Sequence, residues 1–184
     1  MNQNIRPEHP TGGQSNVRFA VIAVLLGLLL LANMVVIFLF SDESREESGD
    51  RSGRITQAVI SVLHPHFDEY PPQKQADVGE DVHHLVRKLA HFSEFAALGV
   101  LSAAFLFHMD SRRRALRGWW KVGISAGFCL AYAASDEIHQ IFSGRGPAIT
   151  DVLIDFSGSV TGIALLSLAL WPALRHKQRR DTTA

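Results

Sequence analysis

The chain has 184 residues, of which 47% are hydrophobic and 20% are charged. Its 18 basic and 18 acidic residues give a formal net charge of zero, so the composition indicates no nucleic-acid partner and no acidic ligand. The single cysteine, Cys129, excludes an internal disulfide and a metal site built from several thiolates.

The first predicted element is a membrane-spanning helix over residues 19–40, which follows a short tail of residues 1–18. The stretch carries no charge. Its length as a helix, about 33 Å, is enough to cross a hydrocarbon core of about 30 Å. It is too long for the apolar core of a cleavable signal peptide and lacks a small-residue cleavage pattern. The sequence therefore predicts an uncleaved membrane anchor.

Residues 41–84 form a predicted extracytoplasmic segment. Residues 41–53 are acidic and rich in serine and glycine, which is typical of a flexible chain. Ile55, Val59 and Val62 then recur at roughly helical spacing, so a short amphipathic helix is predicted on the outer membrane surface. A pair of prolines precedes the polar approach to the next span.

Three further spans are predicted within residues 85–174, and each contains or adjoins acidic side chains. Residues 89–109 contain His91 and Glu94, residues 122–142 contain Asp136 and Glu137, and residues 156–174 follow Asp155. The purely apolar parts of the second and third spans are too short to cross a bilayer, so their acids must lie at membrane depth. Ionisable side chains are costly there and usually face the interior of a helical bundle.

The basic residues predict the orientation of this bundle. Five of them lie in the short connector of residues 110–121, and four lie in the tail of residues 175–184. The positive-inside rule places both segments in the cytoplasm, so four spans leave both termini on that side. The predicted fold class is an all-α, polytopic membrane protein with a four-transmembrane-helix bundle and cytoplasmic N and C termini.

The polar residues of the last three spans fall on helix faces at the outer end of the bundle. Spacings of three and four residues define these faces: Arg87, His91 and Glu94, with Lys88 beside them, on the second span; Asp136, Glu137 and Gln140 on the third; Asp151 and Asp155 on the fourth. Gly158 and Gly162 continue the last face and predict close packing with a neighbouring helix. We expect these polar groups, with Arg145, to converge in one outward-opening pocket. The alternative is that they only pair with one another and hold the bundle together.

Several blocks of this sequence closely resemble the VanZ-like family of bacterial membrane proteins. They are residues 87–99 (RKLAHFSEFAALG), residues 135–142 (SDEIHQIF), the Gly144–Arg145 pair, and the series Asp151, Asp155, Gly158 and Gly162. The resemblance covers about residues 85–170. The family usually has proline where this chain has Ser143, and often asparagine where it has Asp155. The second difference adds a negative charge to the predicted pocket.

The resemblance implies a multi-pass protein of the bacterial cytoplasmic membrane with a role in the cell envelope. The founding member of the family is associated with resistance to the glycopeptide antibiotic teicoplanin. Because function must be argued from the site, the fold alone does not assign an activity.

Three function classes remain open from the residues. In the first, the pocket binds an envelope lipid head group, a lipid-linked wall precursor or a glycopeptide through Arg87, Lys88, Gln140, Arg145, Asp151 and Asp155. In the second, the protein is an intramembrane enzyme that uses His91, Glu94, Asp136 or Glu137 in acid–base catalysis, or a divalent metal held by His91 and neighbouring carboxylates. In the third, the same acids relay protons in a small transporter.

Neighbouring acids in a medium of low dielectric constant cannot all stay ionised without compensating cations. We therefore expect Arg145 to reach Asp136 or Glu137, and at least one acid of the pocket to be protonated or bound to a metal near neutral pH. Arginine suits this role because its planar fork can bind a carboxylate through two hydrogen bonds.

Overall fold

The computed structural model describes residues 11–42, 45–113, 115–142 and 149–181, and these residues are almost entirely helical. They form α1 (Thr11–Asp42), α2 (Arg45–Leu63), α3 (Pro72–Arg113), α4 (Gly118–Phe142) and α5 (Ile149–Asp181). A short 3-10 turn, Phe67–Glu69, joins α2 to α3. No strand occurs in these ranges, so the predicted all-α fold class is confirmed.

Three of the described helices are long and apolar enough to cross a membrane. Their candidate spans are Gly13–Ser41 in α1, Pro72–Arg113 in α3 and Ile149–Trp171 in α5. α4 has 25 residues, which is about 37 Å of helix, but its charged residues lower its mean hydropathy. Composition therefore supports a membrane protein with three spans, and the predicted fourth depends on how α4 packs.

Neighbouring long helices alternate in direction. The Tyr132 hydroxyl of α4 donates a hydrogen bond to the Met34 carbonyl of α1 at 2.6 Å. A second contact joins Ser41, about two turns after Met34, to Asp136, about one turn after Tyr132. α1 and α4 are therefore parallel. α3 runs the opposite way to α1, because the start of α1 contacts the end of α3: His108 Nε2 lies 3.0 Å from the Phe19 carbonyl oxygen.

α3 and α5 pack together through glycine. A Cβ atom at Gly158 would collide with the backbone carbonyl of Phe92, and one at Gly162 would collide with that of Ala96. Gly99 faces the Ser159 carbonyl in the same way, from the α3 side. The backbones of the two parallel helices are therefore closer than any larger residue would allow, which agrees with the close packing predicted for Gly158 and Gly162.

Polar contacts join the helices at the end that carries the basic connector, which we call the basic end. The buried Asp110 accepts hydrogen bonds from the backbone N–H groups of Ala115 and Leu116 at 2.9 and 3.2 Å, and its second oxygen lies 2.7 Å from Lys121 Nζ. Arg112 donates to the Asn16 side chain of α1 at 2.7 Å. These contacts fix the turn between α3 and α4 and hold the start of α1 against it.

α2 packs against the first part of α3 as a helical hairpin. Ile60 and Thr56 of α2 are buried, as is Val82 of α3. α3 has 42 residues, about 63 Å of helix, so this part extends well beyond one bilayer crossing. The predicted helix is present in the second half of α2, and helix also covers residues 45–53, where the composition predicts a flexible chain. Serine and glycine lower helix propensity, but propensity is only a weak guide in a folded chain.

The glycine contacts predict an asymmetry between two single-methyl substitutions. Gly162→Ala should lower the thermal stability of the detergent-purified protein, because overpacking of a tight contact costs about 1–3 kcal/mol. Gly127→Ala is the matched control, since nothing lies within 4 Å of a Cβ atom built at that position in α4. The control should be neutral or slightly more stable, because alanine favours helix. Equal melting temperatures for the two variants would contradict the close α3–α5 approach.

Candidate functional site

The polar residues predicted for the site lie at the end of the bundle opposite the basic end, which we call the site end. α3, α4 and α5 each bring part of the set to it. The described members are Arg87, Lys88, His91 and Glu94 on α3, Asp136, Glu137 and Gln140 on α4, and Asp151 and Asp155 on α5. Arg145 lies outside the described residues, so its predicted contact with Asp136 or Glu137 stays a prediction.

Six of these residues line a single pocket between the three helices. Its wall consists of Arg87, Lys88, His91, Gln140, Asp151, Ile154 and Asp155. Lys88 Nζ lies 3.5 Å from Asp151 Oδ1, and both side chains are about one-third exposed, at 32% and 30%. Solvent therefore reaches this ion pair, and the pocket presents both signs of charge at its mouth.

Deeper in the pocket, His91 faces Asp155. His91 Nδ1 lies 3.9 Å from Asp155 Oδ1, and the Asp155 side chain is only 6% exposed. This distance is too long for a direct hydrogen bond and leaves room for the pair to share a small third group. His91 lies about one helical turn after Lys88 on α3, and Asp155 about one turn after Asp151 on α5, so the His91–Asp155 pair is deeper in the bundle.

Asp136 is buried beside this pair, with 3% of its surface exposed. Its Oδ2 accepts hydrogen bonds from the Ser41 hydroxyl of α1 and from the Gln140 side-chain amide of α4, both at 3.0 Å. Its Oδ1 is buried and has no hydrogen-bond partner among the residues that the structure describes. Two donors thus hold this carboxylate in one orientation while one of its oxygens remains available.

His91, Asp136 and Asp155 form a compact group of potential metal ligands from three different helices. One ligand atom of each lies within 4.8 Å of the others. Within the described ranges, this is the only such group of three or more histidine, cysteine or acidic side chains. An imidazole nitrogen and two carboxylate oxygens can bind a cation, or can pass a proton between them.

Glu94 and Glu137 lie close to this group but do not line the pocket. Glu137 is buried and Glu94 is half-buried. Both are near enough to Asp155 for their charges to act on it, as are Asp136 and Asp151. The described part of the site therefore concentrates five acids around the lysine, arginine and histidine of α3.

Two parts of the site were not predicted from the sequence. Ser41 was assigned to the flexible segment after the first span, yet it is fully buried and bonded to Asp136. Gly99 is identified from the sequence only as part of the resemblance to a family, yet it packs directly against the Ser159 backbone of α5. The sequence feature that could have identified Ser41 is its position at the end of an apolar helix, where a hydroxyl group can face the interior of the bundle.

Comparison with known proteins identifies the family of this chain. A model of the family described as VanZ/LLP1 matches residues 26–170, which is more than three quarters of the chain. The match begins within α1 and includes the α2–α3 hairpin, so it extends beyond the blocks at residues 85–170 that carried the resemblance. No curated protein and no solved structure shows significant similarity. Because the match covers most of the chain and every described residue of the site, including Ser41, the chain belongs to the VanZ/LLP1 family.

Proposed function

We propose that this protein crosses the bacterial cytoplasmic membrane four times, with both termini in the cytoplasm, and binds an anionic envelope head group or a glycopeptide in its outward-facing pocket. The observation that carries this proposal is the mixed charge at the solvent-accessible mouth of a small pocket, about 10 Å³ in volume, at the site end of three packed helices. Family membership supports a membrane protein with a role in the cell envelope.

The spacing of the polar residues along the helices supports membrane crossing between the two ends of the bundle. From Lys88 to Asp110, α3 is about 33 Å long, and from Asp151 to Trp171, α5 is about 30 Å long. Both lengths match a hydrocarbon core of about 30 Å. His91 and Asp155 then lie about one turn inside the outer boundary, where unsatisfied polar groups are costly and paired ones mark a function.

Packing supports α4 as the fourth span. Lys121 in its first turn contacts Asp110 at the basic end, and Asp136 near its last turn contacts Ser41 at the site end. α4 thus runs the full distance between the two polar ends, parallel to α1. Trp119 and Trp120 stack on each other at its start and are at least half exposed, as expected of aromatic side chains at a membrane interface.

Cysteine labelling in whole cells tests this topology. In a Cys129→Ala background, we expect a membrane-impermeant maleimide to label Arg54→Cys and Thr150→Cys in intact cells, and to label Arg117→Cys only after permeabilisation. These three positions are exposed on α2, at the start of α5 and in the α3–α4 connector, respectively. If Arg117→Cys and Thr150→Cys are labelled from the same side, α4 does not cross the membrane.

The chemistry of the pocket favours a ligand that combines an anionic group with hydrogen-bond donors. Arg87 and Lys88 at the mouth can bind phosphate or carboxylate, since charge-assisted hydrogen bonds to such groups are strong. Asp151, Asp155 and the Gln140 side chain can accept hydrogen bonds from hydroxyl, amide or amine groups. A phosphorylated sugar–peptide head group and a glycopeptide both present this combination.

The exposure of the Lys88–Asp151 pair argues against a purely structural role. Solvent-exposed ion pairs contribute only about 0–1 kcal/mol to stability, so a pair that is one-third exposed adds little to the bundle. Its side chains can exchange partners when a charged ligand enters. The deeper Asp136, by contrast, is held in place by the Ser41 hydroxyl of α1 and the Gln140 amide of α4.

A second candidate function is catalysis on the bound group, and the convergence of His91, Asp136 and Asp155 favours it. An imidazole beside two buried carboxylates is a suitable general base, with Glu94 and Glu137 as further acids of the same set. An enzyme would convert the bound molecule to a product, whereas a binding protein would release it chemically unchanged.

A short isoprenyl diphosphate tests the proposal, because it carries the charged end of a lipid-linked wall precursor. We expect farnesyl diphosphate to bind the detergent-purified protein more tightly than farnesol, which lacks the diphosphate. Lys88→Ala should weaken this binding about tenfold, since a hydrogen bond to a charged group contributes about 1.5–3 kcal/mol. Calorimetric titration measures the affinity, and phosphate release during the titration would identify the enzyme.

Lys74→Ala is the matched control for Lys88→Ala. Lys74 lies on the same helix but outside the pocket, with its Nζ 3.9 Å from the centre of the Tyr70 ring. The control should bind like the parent protein. Arg145→Ala should behave like Lys88→Ala, and Arg145→Lys should restore only part of the affinity. The same titration with teicoplanin decides between a head group and a glycopeptide. The proposal is overturned if neither farnesyl diphosphate nor teicoplanin binds more tightly than farnesol, or if Lys88→Ala and Arg145→Ala keep the parental affinity.

A further inference from the structure

We propose that His91, Asp136 and Asp155 form a binding site for one divalent transition-metal ion, with Zn²⁺ as the best match. The site goes beyond head-group binding, because it lies below the Lys88–Asp151 pair and its existence does not depend on any organic ligand. Its three ligands come from α3, α4 and α5, so a bound ion would join all three helices of the pocket.

The geometry of the three side chains suits such an ion after a small adjustment. Their ligand atoms lie within 4.8 Å of one another, and His91 Nδ1 is 3.9 Å from Asp155 Oδ1. Ligand atoms bound to a tetrahedral zinc ion at about 2.0–2.1 Å lie about 3.4 Å apart. Movements of up to about 0.7 Å by each ligand atom close this difference, which side-chain rotation can supply.

The hydrogen bonds of Asp136 are those of an oriented metal ligand. Ser41 and Gln140 both donate to Oδ2, which leaves Oδ1 buried without a hydrogen-bond partner among the described residues. A buried acceptor without a donor costs about 1–3 kcal/mol. A metal ion bound to Oδ1 would remove this cost, and polar groups that orient a ligand from behind are a regular part of metal sites. Ser41 and Gln140 are therefore positioning residues.

The charge around Asp155 also favours a cation. Asp136, Asp151, Glu137 and Glu94 are all close enough to act on it electrostatically. Lys88 meets Asp151 one turn nearer the mouth of the pocket. Like charges repel strongly in a medium of low dielectric constant, and a divalent ion placed between His91 and the two aspartates would compensate two of them.

The donor set selects the class of metal. One imidazole nitrogen and two carboxylate oxygens suit Zn²⁺ and its transition-metal neighbours, whereas Mg²⁺ and Ca²⁺ prefer all-oxygen sites. Three protein ligands leave a fourth position open, as in catalytic zinc sites. Because His91 and Asp155 line the pocket, this position would face an anionic ligand there; this last consequence rests on the proposed function.

Titration of the full-length protein with Zn²⁺ tests the site. The protein is purified in detergent, treated with a chelator and titrated by calorimetry, with Mg²⁺ and Ca²⁺ as comparison ions. We expect one Zn²⁺ per chain and at least about 100-fold weaker binding in His91→Ala and in Asp155→Asn, since even supporting residues contribute about 10–100-fold. Ser41→Ala should weaken binding about tenfold or more while keeping all three ligands. X-ray absorption of the zinc-loaded protein should show only nitrogen and oxygen ligands.

His66→Ala is the matched control for adventitious binding by surface histidines. His66 lies outside the membrane bundle, with its side chain 74% exposed beside Glu69. This variant should bind Zn²⁺ like the parent. The metal site is overturned if the protein does not bind one Zn²⁺ per chain saturably, or if His91→Ala and Asp155→Asn keep the parental affinity. It is also overturned if only His66→Ala loses Zn²⁺ binding. Circular dichroism spectra and melting curves of each variant show whether weaker Zn²⁺ binding results from a missing metal ligand or from an unfolded protein.

The metal site and the proposed function can fail separately. If chelated protein takes up no Zn²⁺ but still binds farnesyl diphosphate, the metal inference is wrong and the head-group proposal stands. If the protein binds one Zn²⁺ through His91 and Asp155 but distinguishes neither farnesyl diphosphate nor teicoplanin from farnesol, the metal site stands and the proposed function is wrong.

Discussion

The close contact of α3 with α5 determines where the polar groups of this protein meet. Gly99, Gly158 and Gly162 allow backbone atoms of the two helices to touch, and Phe92, beside Gly158, follows His91 directly in the chain. Asp155 lies one turn before the α5 glycines, so the same approach brings it opposite His91. In a membrane, where the hydrophobic effect does not drive helices together, small residues that permit close packing are a principal source of association.

α1 and α4 complete the site around this pair. α4 brings Asp136 beside His91 and Asp155, and α1 supplies the Ser41 hydroxyl that helps to orient it. Most of α1 is otherwise exposed and apolar, as expected of a surface that faces lipid. The helix that looks most like a simple anchor thus also stabilises the buried carboxylate, which would be costly without hydrogen-bond donors. At the other end, Lys121 of α4 pairs with Asp110 of α3.

The sequence predicted the helical class and the sets of polar residues that share a helix face, because periodicity determines which side chains lie on the same face. The spacing of His91 with Arg87 and of Asp151 with Asp155 was sufficient to place them at one end of the bundle. It could not predict contacts between helices that are distant in the chain, such as Ser41 with Asp136 or Gly99 with Ser159, because these depend on tertiary packing. The start of α2 at Arg45 was also missed, because serine and glycine lower helix propensity and propensity is only a weak guide to where a helix begins. Arg145 lies outside the described residues, and its role is still a prediction.

Cross-linking of α3 to α5 at the site end tests the central claim, that the polar groups of separate helices meet in one pocket. In a Cys129→Ala background, His91→Cys with Asp155→Cys should be joined within one chain by a short bifunctional thiol reagent in native membranes, as detected by peptide mass spectrometry. His91→Cys with Leu153→Cys is the control pair, because the Leu153 side chain is 61% exposed and points away from the pocket. Rapid cross-linking of the first pair and little of the second is the predicted result. Equal cross-linking of both pairs, or none of the first, would contradict the convergence on which the account depends.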